Sequence, residues 1–155
     1  MNTSPPPRIL VADDDPILRE VLVEILTTFG AAVIQAENGE AAVKEAMSAP
    51  FDLCILDIDM PNMGGLEACQ IIRTSAFTRD VPILFLTGHA DSAAIHQAFA
   101  VGGSDFLSKP VHPTLLWRRA SNLILLKKLS EKRDNLQGMM NIIEKPPDSS
   151  LRTED

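Results

Sequence analysis

The segment Asp52-Leu-Cys-Ile-Leu-Asp57 decides the fold, because four apolar residues in a row lead directly into a carboxylate. A run this short, with no polar residue at alternate positions, is typical of a strand that is covered on both faces in a parallel sheet. Further apolar runs of this kind occur along the chain. They span residues 9–12, 32–34, 83–86 and 106–107.

Amphipathic segments separate these runs and predict helices. Residues 17–26 have apolar side chains at i, i+3, i+4 and i+7 spacing, with Pro16 at the start and Gly30 just past the end. Further helical patterns cover residues 41–47, 66–72 and 93–101, and another begins near Pro113. Alternating strands and helices with short connections form right-handed βαβ units. We therefore expect an α/β fold with a doubly wound, five-stranded parallel sheet.

The last helix is expected to extend well beyond the sheet, since residues 115–143 contain no proline and a single glycine, Gly138. Apolar residues repeat within it at four- and three-residue spacing, and Lys132 interrupts this seam. The seam consists of Leu125, Leu129, Leu136, Met139 and Ile143. We expect the helix to pair with another chain or to lead to another domain. The alternative is an amphipathic helix that folds back on its own domain.

These patterns divide the chain into a central domain, a helical extension and two tails. We expect a disordered N-terminal tail over residues 1–7, a globular domain over 8–126, a helical extension or linker over 127–145 and a disordered tail over 146–155. The proline-rich, polar composition of both ends is the basis for the two tails.

Composition excludes several classes of protein. The chain has 155 residues, with 14 basic and 21 acidic side chains and a formal net charge of -7, which argues against direct nucleic-acid binding. Cys54 and Cys69 lie in apolar or helical patterns and are expected to be buried thiols. No apolar run approaches the roughly 18 residues that a membrane span requires. We therefore expect a soluble, cytoplasmic protein.

Polar residues directly follow most of the apolar runs. They are Asp13-Asp14-Asp15, Asp57, Thr87 and Ser108-Lys109. Parallel strands end at one edge of a sheet, and open α/β sheets bind ligands at that edge, where the strand order reverses. The sequence therefore predicts a composite site made of carboxylates, a hydroxyl group and an ammonium group.

The residue types of this site favour phosphoryl chemistry. Clustered carboxylates raise one another's pKa unless a cation lies between them, and hard oxygen donors without Cys or His favour Mg²⁺ over Zn²⁺. Lys109 would neutralise phosphoryl oxygens, and Thr87 would donate a hydrogen bond to one of them. A remaining carboxylate can then attack phosphorus, while the protein positions the transferring group and neutralises its charge.

Four motifs, in this order and spacing, resemble the receiver domain of two-component response regulators. They are Arg8-Ile-Leu-Val-Ala-Asp13-Asp14-Asp15-Pro16, Asp52-Leu-Cys-Ile-Leu-Asp57-Ile-Asp-Met-Pro61 with Gly64-Gly65-Leu66, Val81-Pro-Ile-Leu-Phe-Leu-Thr87-Gly88, and Gly103-Ser-Asp-Phe106-Leu-Ser-Lys109-Pro110. The resemblance covers residues 8–126. It implies a flavodoxin-like strand order 2-1-3-4-5 and a phosphorelay function.

The resemblance also implies a role for each acidic residue. Asp57 would be the phosphoacceptor, modified by a histidine kinase or a phosphotransfer protein. Asp13 and Asp14 would hold Mg²⁺ together with Asp57, and Asp59 would contribute its backbone carbonyl to the metal. The expected product is an aspartyl phosphate that changes the conformation of the domain and so controls an output domain or partner.

Three other residues take their expected roles from the same resemblance. Thr87 and Lys109 would bind the phosphoryl group, and Phe106 would be the switch aromatic that turns when Thr87 moves. The Lys109-Pro110 bond would be cis. A homodimer through the face formed by the fourth helix, fifth strand and fifth helix, or through the C-terminal helix, is a candidate assembly.

Some of these residues have simpler interpretations. Asp15, followed by Pro16, fits a helix cap better than a metal ligand. Phe106 also fits a plain core position. His89, two residues after Thr87, is either a residue that tunes phosphate lifetime, as in this family, or a solvated loop residue.

Two other functions compete with the phospho-switch. The string Leu56-Asp57-Ile-Asp59 resembles the nucleophile motif of haloacid-dehalogenase-type phosphatases, but Met60 is not Thr or Val, and the acidic pair precedes the nucleophile strand where that family places it after. A receiver that signals by protein contacts alone is the other alternative. We expect a phosphoacceptor signalling module and not an enzyme that acts on an outside substrate.

Overall fold

A computed structural model describes residues 4–144 of the chain. Strands and helices alternate along it from beginning to end, as the apolar runs and amphipathic segments predict. The elements are β1 Arg8–Ala12, α1 Pro16–Thr28, β2 Ala32–Ala36, α2 Gly39–Ser48, β3 Leu53–Asp57, α3 Gly65–Thr74, β4 Ile83–Thr87, α4 Ser92–Ala100, β5 Asp105–Ser108 and α5 Pro113–Glu144.

The five strands form one parallel sheet in the order β2-β1-β3-β4-β5. The predicted fold class and strand order are therefore confirmed. The register aligns the carboxyl ends of the strands: Ala12 lies opposite Leu56, Asp57 opposite Leu86, and Thr87 opposite Ser108. Residues that follow these strands consequently emerge side by side at one edge of the sheet.

Helices cover both faces of the sheet, as the continuous apolar runs require. All residues of β3 and β4 are buried, and successive side chains alternate between two hydrophobic clusters. Leu10, Cys54 and Phe85 belong to the cluster that includes side chains of α2, α3 and α4. Ile9, Ile55 and Leu84 belong to the other cluster, with α1 and α5. Both predicted thiols are free and buried, and burial raises the pKa of Cys54 to about 12.

Helix α1 begins and ends as the sequence predicts. Asp15 Oδ1 accepts hydrogen bonds from the backbone N–H groups of Ile17, at 3.0 Å, and Leu18, at 3.3 Å. The interpretation of Asp15 as a cap is therefore confirmed. Gly30 follows the helix with a φ of 100°, a left-handed conformation that favours glycine.

Helix α5 is continuous from Pro113 to Glu144, so the predicted long C-terminal helix is confirmed. Its buried residues, Leu116, Ala120 and Ile124, all lie in the first half. Every described residue from 131 onward is exposed. This arrangement favours a projecting helix over one that folds back on the domain.

The predicted domain limits fall partly beyond the described residues. The boundary at residues 126 and 127 lies within the continuous helix α5 and stays a prediction. Residues 1–3 and 145–155, which include the predicted C-terminal tail, lie outside the described residues. Within residues 4–144, no helix is both long and apolar enough to cross a membrane.

Candidate functional site

The carboxyl edge of the sheet brings together the polar residues that follow the strands. Asp13 comes directly after β1, Asp57 and Thr87 are the last residues of β3 and β4, and Lys109 comes directly after β5. The backbone N–H of Lys109 donates a hydrogen bond to the Thr87 carbonyl oxygen at 2.8 Å, which extends the β4–β5 pairing to the edge. The predicted cis peptide bond between Lys109 and Pro110 is confirmed.

An ion-pair cluster joins three of these residues. Lys109 Nζ lies 2.9 Å from Asp57 Oδ2 and 3.5 Å from Asp13 Oδ2. Both carboxylates are buried, at 2% and 0% exposure, whereas the ammonium group remains partly exposed. Two buried anions therefore share one cation, which leaves an excess of negative charge in the site.

Asp13 is held by the backbone around it. Its Oδ1 accepts a hydrogen bond from the Asp15 backbone N–H at 2.9 Å, and its carbonyl oxygen accepts one from Arg19 Nη1 at 2.7 Å. The other carboxylate oxygen, Oδ2, is buried and has no hydrogen-bond partner among residues 4–144. A buried carboxylate oxygen without a donor is costly unless a cation balances it.

The excess negative charge is reflected in the pKa of Asp57. Burial is the largest cause and raises this pKa, the hydrogen bond from Lys109 lowers it, and the charge of Asp13 raises it, so that the pKa lies at about 6. At Lys109, burial lowers the pKa, but the hydrogen bond and charges of Asp57 and Asp13 outweigh burial and raise it above its usual value. Lys109 is therefore a fixed cation at neutral pH, and Asp57 is mainly a carboxylate.

Three carboxylates are close enough to share one metal ion. Oxygen atoms of Asp13, Asp14 and Asp57 all lie within 4.8 Å of one another. Asp14 is exposed while the other two are buried, so the cluster opens to solvent on one side. The hard oxygen donors fit Mg²⁺, which takes one or two carboxylates and keeps several waters. So does Asp13 Oδ2, which has no hydrogen-bond donor among residues 4–144.

Asp59 contacts the site through its backbone. Its N–H donates a hydrogen bond to Asp57 Oδ1 at 3.1 Å, so the two oxygens of Asp57 have separate donors. The side chain of Asp59 is exposed and is not part of the carboxylate cluster found among residues 4–144. The predicted role of the Asp59 backbone carbonyl as a metal ligand stays a prediction.

Among residues 4–144, the Thr87 hydroxyl forms no hydrogen bond with Asp57, whose donors are Lys109 and the Asp59 N–H. The buried Thr87 hydroxyl accepts a hydrogen bond from the His89 backbone N–H at 3.0 Å. Phe106 is half-buried on β5, where its ring meets Phe99 of α4 edge-to-face, with centroids 6.2 Å apart. The structure therefore places Thr87 at the edge and Phe106 between the sheet and α4.

Gly65 was not predicted to contact Asp57. It begins α3 beside the loop that follows β3, and its N–H donates to the Ile58 carbonyl oxygen at 3.1 Å. A Cβ at this position would collide with the carbonyl oxygen of Asp57. The Gly64-Gly65 pair in the motif was the available signal, although the sequence indicates only a turn there.

Comparison with known proteins identifies the family. The family model of the response regulator receiver domain matches residues 9–121. The chain therefore belongs to the receiver domain family of response regulators. A transcriptional regulatory protein of Bacillus subtilis, YrkP, whose function is uncharacterized, is 41% identical over 103 residues, which are 66% of this chain and 43% of YrkP. The chain thus spans less than half the length of this curated relative.

Solved structures support the same assignment. A response regulator from Chloroflexus aurantiacus superposes with a TM-score of 0.74 at 32% identity, covering 77% of this chain and 98% of that one. The receiver domain of the sensor histidine kinase PA1611 from Pseudomonas aeruginosa gives a TM-score of 0.73 at 28% identity, with 77% and 98% coverage. That protein has a magnesium ion coordinated in its active-site cleft.

Proposed function

We propose that this chain is a phosphoacceptor switch in phosphorelay signalling. Asp57 accepts a phosphoryl group from a sensor histidine kinase or a phosphotransfer protein, and the modified domain controls an output domain or partner. The observation that carries the proposal is the setting of Asp57, whose buried carboxylate lies between Lys109 Nζ and the Asp59 N–H and beside Asp13. Such a carboxylate is fixed in place and next to a cation that can neutralise an incoming phosphoryl group.

The transfer step requires a carboxylate nucleophile. An Asp57 oxygen forms a bond to phosphorus while the bond from phosphorus to the histidine nitrogen of the donor breaks, and the electron pair returns to the imidazole. A pKa of about 6 leaves Asp57 ionised at neutral pH, so no base is needed to activate it. The domain acts on itself and turns over no outside substrate.

The carboxylates of Asp13, Asp14 and Asp57, with the backbone carbonyl of Asp59, would hold Mg²⁺. When bound, the metal would supply positive charge toward the transferring phosphoryl group. Lys109 contributes a second cation, at 2.9 Å from Asp57 Oδ2. Thr87, one residue beyond the position paired with Asp57, donates its hydroxyl to the phosphoryl group.

A change at Thr87 would reach the surface through Phe106. The two residues lie on neighbouring paired strands, and the Phe106 ring packs between the sheet and α4. We infer that Thr87 leaves the His89 N–H when it binds the phosphoryl group, and that Phe106 turns into the space released. The output then passes through the α4–β5–α5 face or along α5.

The phosphatase alternative has less support. It requires the Asp59 carboxylate as an acid–base catalyst, but this carboxylate is exposed and only the backbone N–H of Asp59 contacts Asp57. Turnover of p-nitrophenyl phosphate by the wild-type chain, lost in Asp59→Asn, would support that alternative instead.

A cytoplasmic location and homodimerisation are further parts of the proposal. The exposed apolar seam of α5 supports pairing with a second copy through this helix. The α4–β5–α5 face is the other candidate interface.

The test of the proposed function is the intact mass after incubation with acetyl phosphate and Mg²⁺. We expect a gain of one phosphoryl group that is absent with EDTA and absent in Asp57→Asn. Beryllofluoride, a non-hydrolysable mimic of the acyl phosphate, provides a second readout when hydrolysis is fast. A chain that neither gains mass nor binds beryllofluoride would contradict the phospho-switch.

A further inference from the structure

Helix α4 is attached to the domain mainly at its C-terminal end. Ala98 is its one fully buried residue among those described. Just beyond the helix, Arg73 of α3 donates two hydrogen bonds to the Gly102 carbonyl oxygen, at 3.0 Å from Nε and 2.8 Å from Nη2. At the N-terminal end, Asp91 only caps the helix itself, accepting from the Ala94 N–H at 2.8 Å. The backbone anchors of α4 therefore lie at its C-terminal end, and Phe99, the next-to-last residue of the helix, lies at this end too.

The contact between Phe99 and Phe106 joins the C-terminal end of α4 to β5. The two rings are nearly perpendicular, at 85°, with centroids 6.2 Å apart, which is a favourable edge-to-face geometry. Phe99 remains 48% exposed, so burial alone does not account for an aromatic residue at this position of α4. Pairs of this kind shift an equilibrium constant by about 2- to 12-fold.

We propose that Phe99 is a positioning residue for the switch: it holds Phe106 in the orientation of the unphosphorylated chain. This inference rests on the proposed function, in which Phe106 turns when Thr87 binds the phosphoryl group. Turning Phe106 breaks the edge-to-face contact between α4 and β5, while Arg73 still holds the segment just beyond α4. The energy of phosphoryl binding must therefore outweigh the Phe99–Phe106 contact before Phe106 can turn.

Beryllofluoride affinity measures this equilibrium. When the conformation that binds the mimic is a minor one, the apparent dissociation constant equals the intrinsic value divided by the population of that conformation. Removing a contact that stabilises only the unphosphorylated conformation then strengthens apparent binding. In the full chain with Mg²⁺, we expect Phe99→Ala to lower the apparent dissociation constant for beryllofluoride by about 2- to 12-fold. The titration is followed through the amide resonances of Thr87 and Leu107.

Three comparisons separate positioning from a general loss of stability. Phe77→Ala removes another exposed aromatic ring, from the α3–β4 loop, and should leave the affinity unchanged. Phe99→Leu keeps apolar bulk without the ring and should give a smaller increase in affinity than Phe99→Ala. In a Phe106→Ala background, Phe99→Ala should have no further effect, because the contact that it would remove is already absent.

The outcomes distinguish this inference from the proposed function. If the wild-type chain responds to beryllofluoride and Phe99→Ala binds it no more tightly, Phe99 does not position the switch. The same conclusion follows if Phe77→Ala has an equal effect, or if Phe99→Ala keeps its full effect in the Phe106→Ala background. A wild-type chain that shows no response to beryllofluoride overturns the proposed function, and this inference with it.

Discussion

Lys109 Nζ lies 2.9 Å from Asp57 Oδ2 and 3.5 Å from Asp13 Oδ2, so one ammonium group serves two buried carboxylates. Because the ammonium group lies closer to Asp57, it neutralises the charge of Asp57 more than that of Asp13. It also leaves Asp13 Oδ2 without a hydrogen-bond donor among residues 4–144. The site is therefore under-neutralised without a metal ion, and this imbalance determines how its stability depends on pH and on substitution.

The first prediction concerns pH. Burial raises the pKa of Asp57 from 3.8 to about 6. The protonated form is thus favoured in the folded chain, and this contribution to stability is fully present below pH 3.8 and is lost as the pH rises through about 6. In EDTA at pH 7.5, Asp57→Asn should be more stable than the wild type by about 1–2 kcal/mol, because the variant removes a buried charge but also takes the carboxylate partner from Lys109.

Thermal denaturation in EDTA between pH 4.5 and 8, values chosen to bracket the folded-state pKa of about 6, checks this prediction. The gain from Asp57→Asn should shrink toward the acidic end of the range. Asp134→Asn, which neutralises an exposed carboxylate on α5, serves as the matched control and should change little. If both variants change the stability by the same amount at every pH, burial does not raise the pKa of Asp57.

The second prediction concerns the shared cation. Lys109→Ala leaves two buried carboxylates without their ammonium partner, and removing one member of a buried pair costs about 3–5 kcal/mol. Because the ammonium group is partly exposed, we expect a loss of about 1–3 kcal/mol in EDTA, with a smaller loss in Mg²⁺. The variant should still bind Mg²⁺ but should not reach the activated conformation.

Denaturant unfolding and the beryllofluoride titration together test Lys109. Lys128→Ala, on the exposed surface of α5, is the control for loss of a lysine. Wild-type switching in Lys109→Ala would rule out the role proposed for this residue, and an unchanged stability would show that the ion pair contributes nothing to folding.

The fold and much of the site could be predicted, because the residue types that determine them indicate whether a position is buried or lies at a strand end. A run such as that of β3 must be covered on both faces, and this requirement predicts the parallel sheet. Asp13, Asp57 and Lys109 sit at or directly after the ends of strands, so the register of the sheet determines that they meet. Their positions follow from topology alone.

Other contacts depend on how the helices rotate and tilt over the sheet, which residue spacing does not specify. Phe99 contacts Phe106 because α4 is rotated so that the side carrying Phe99 faces β5. The close approach of Gly65 to the Asp57 carbonyl depends in the same way on where α3 begins relative to the loop that follows β3. No sequence signal marks Phe99, and Gly65 was visible only as part of a turn.

The third prediction tests that close approach. In Gly65→Ala, the new methyl group would collide with the Asp57 carbonyl oxygen, so the loop that follows β3 must shift. We expect a loss of about 1–3 kcal/mol in stability and slower labelling by acetyl phosphate. Gly138→Ala is a matched control, because nothing lies within 4 Å of a Cβ there, and it should stabilise the chain by about 0.5–1 kcal/mol. Normal labelling of Gly65→Ala would mean that the loop tolerates the shift.

The last prediction concerns the seam of α5. Its residues Leu125, Leu129, Leu136, Met139 and Ile143 are 53% to 79% exposed, and Lys132 interrupts them. If the seam pairs with a second copy, the charge of Lys132 weakens the dimer, because each ammonium group lies near apolar side chains and must keep its hydration. Lys132→Leu should therefore lower the dimer dissociation constant at least about tenfold, since each buried leucine contributes about 1.5–3 kcal/mol.

Light scattering after size-exclusion chromatography, over a range of chain concentrations, measures that change. Asn141→Leu is the matched control, because it adds an equally apolar side chain beside Gln137, on the side of the helix away from the seam. Tighter self-association of Lys132→Leu alone supports pairing along the seam. Equal association of both variants would indicate non-specific hydrophobic contact. If neither variant associates, the seam does not pair with a second copy. In Lys132→Leu the seam is continuously apolar, so the charge of Lys132 could no longer explain the lack of a dimer.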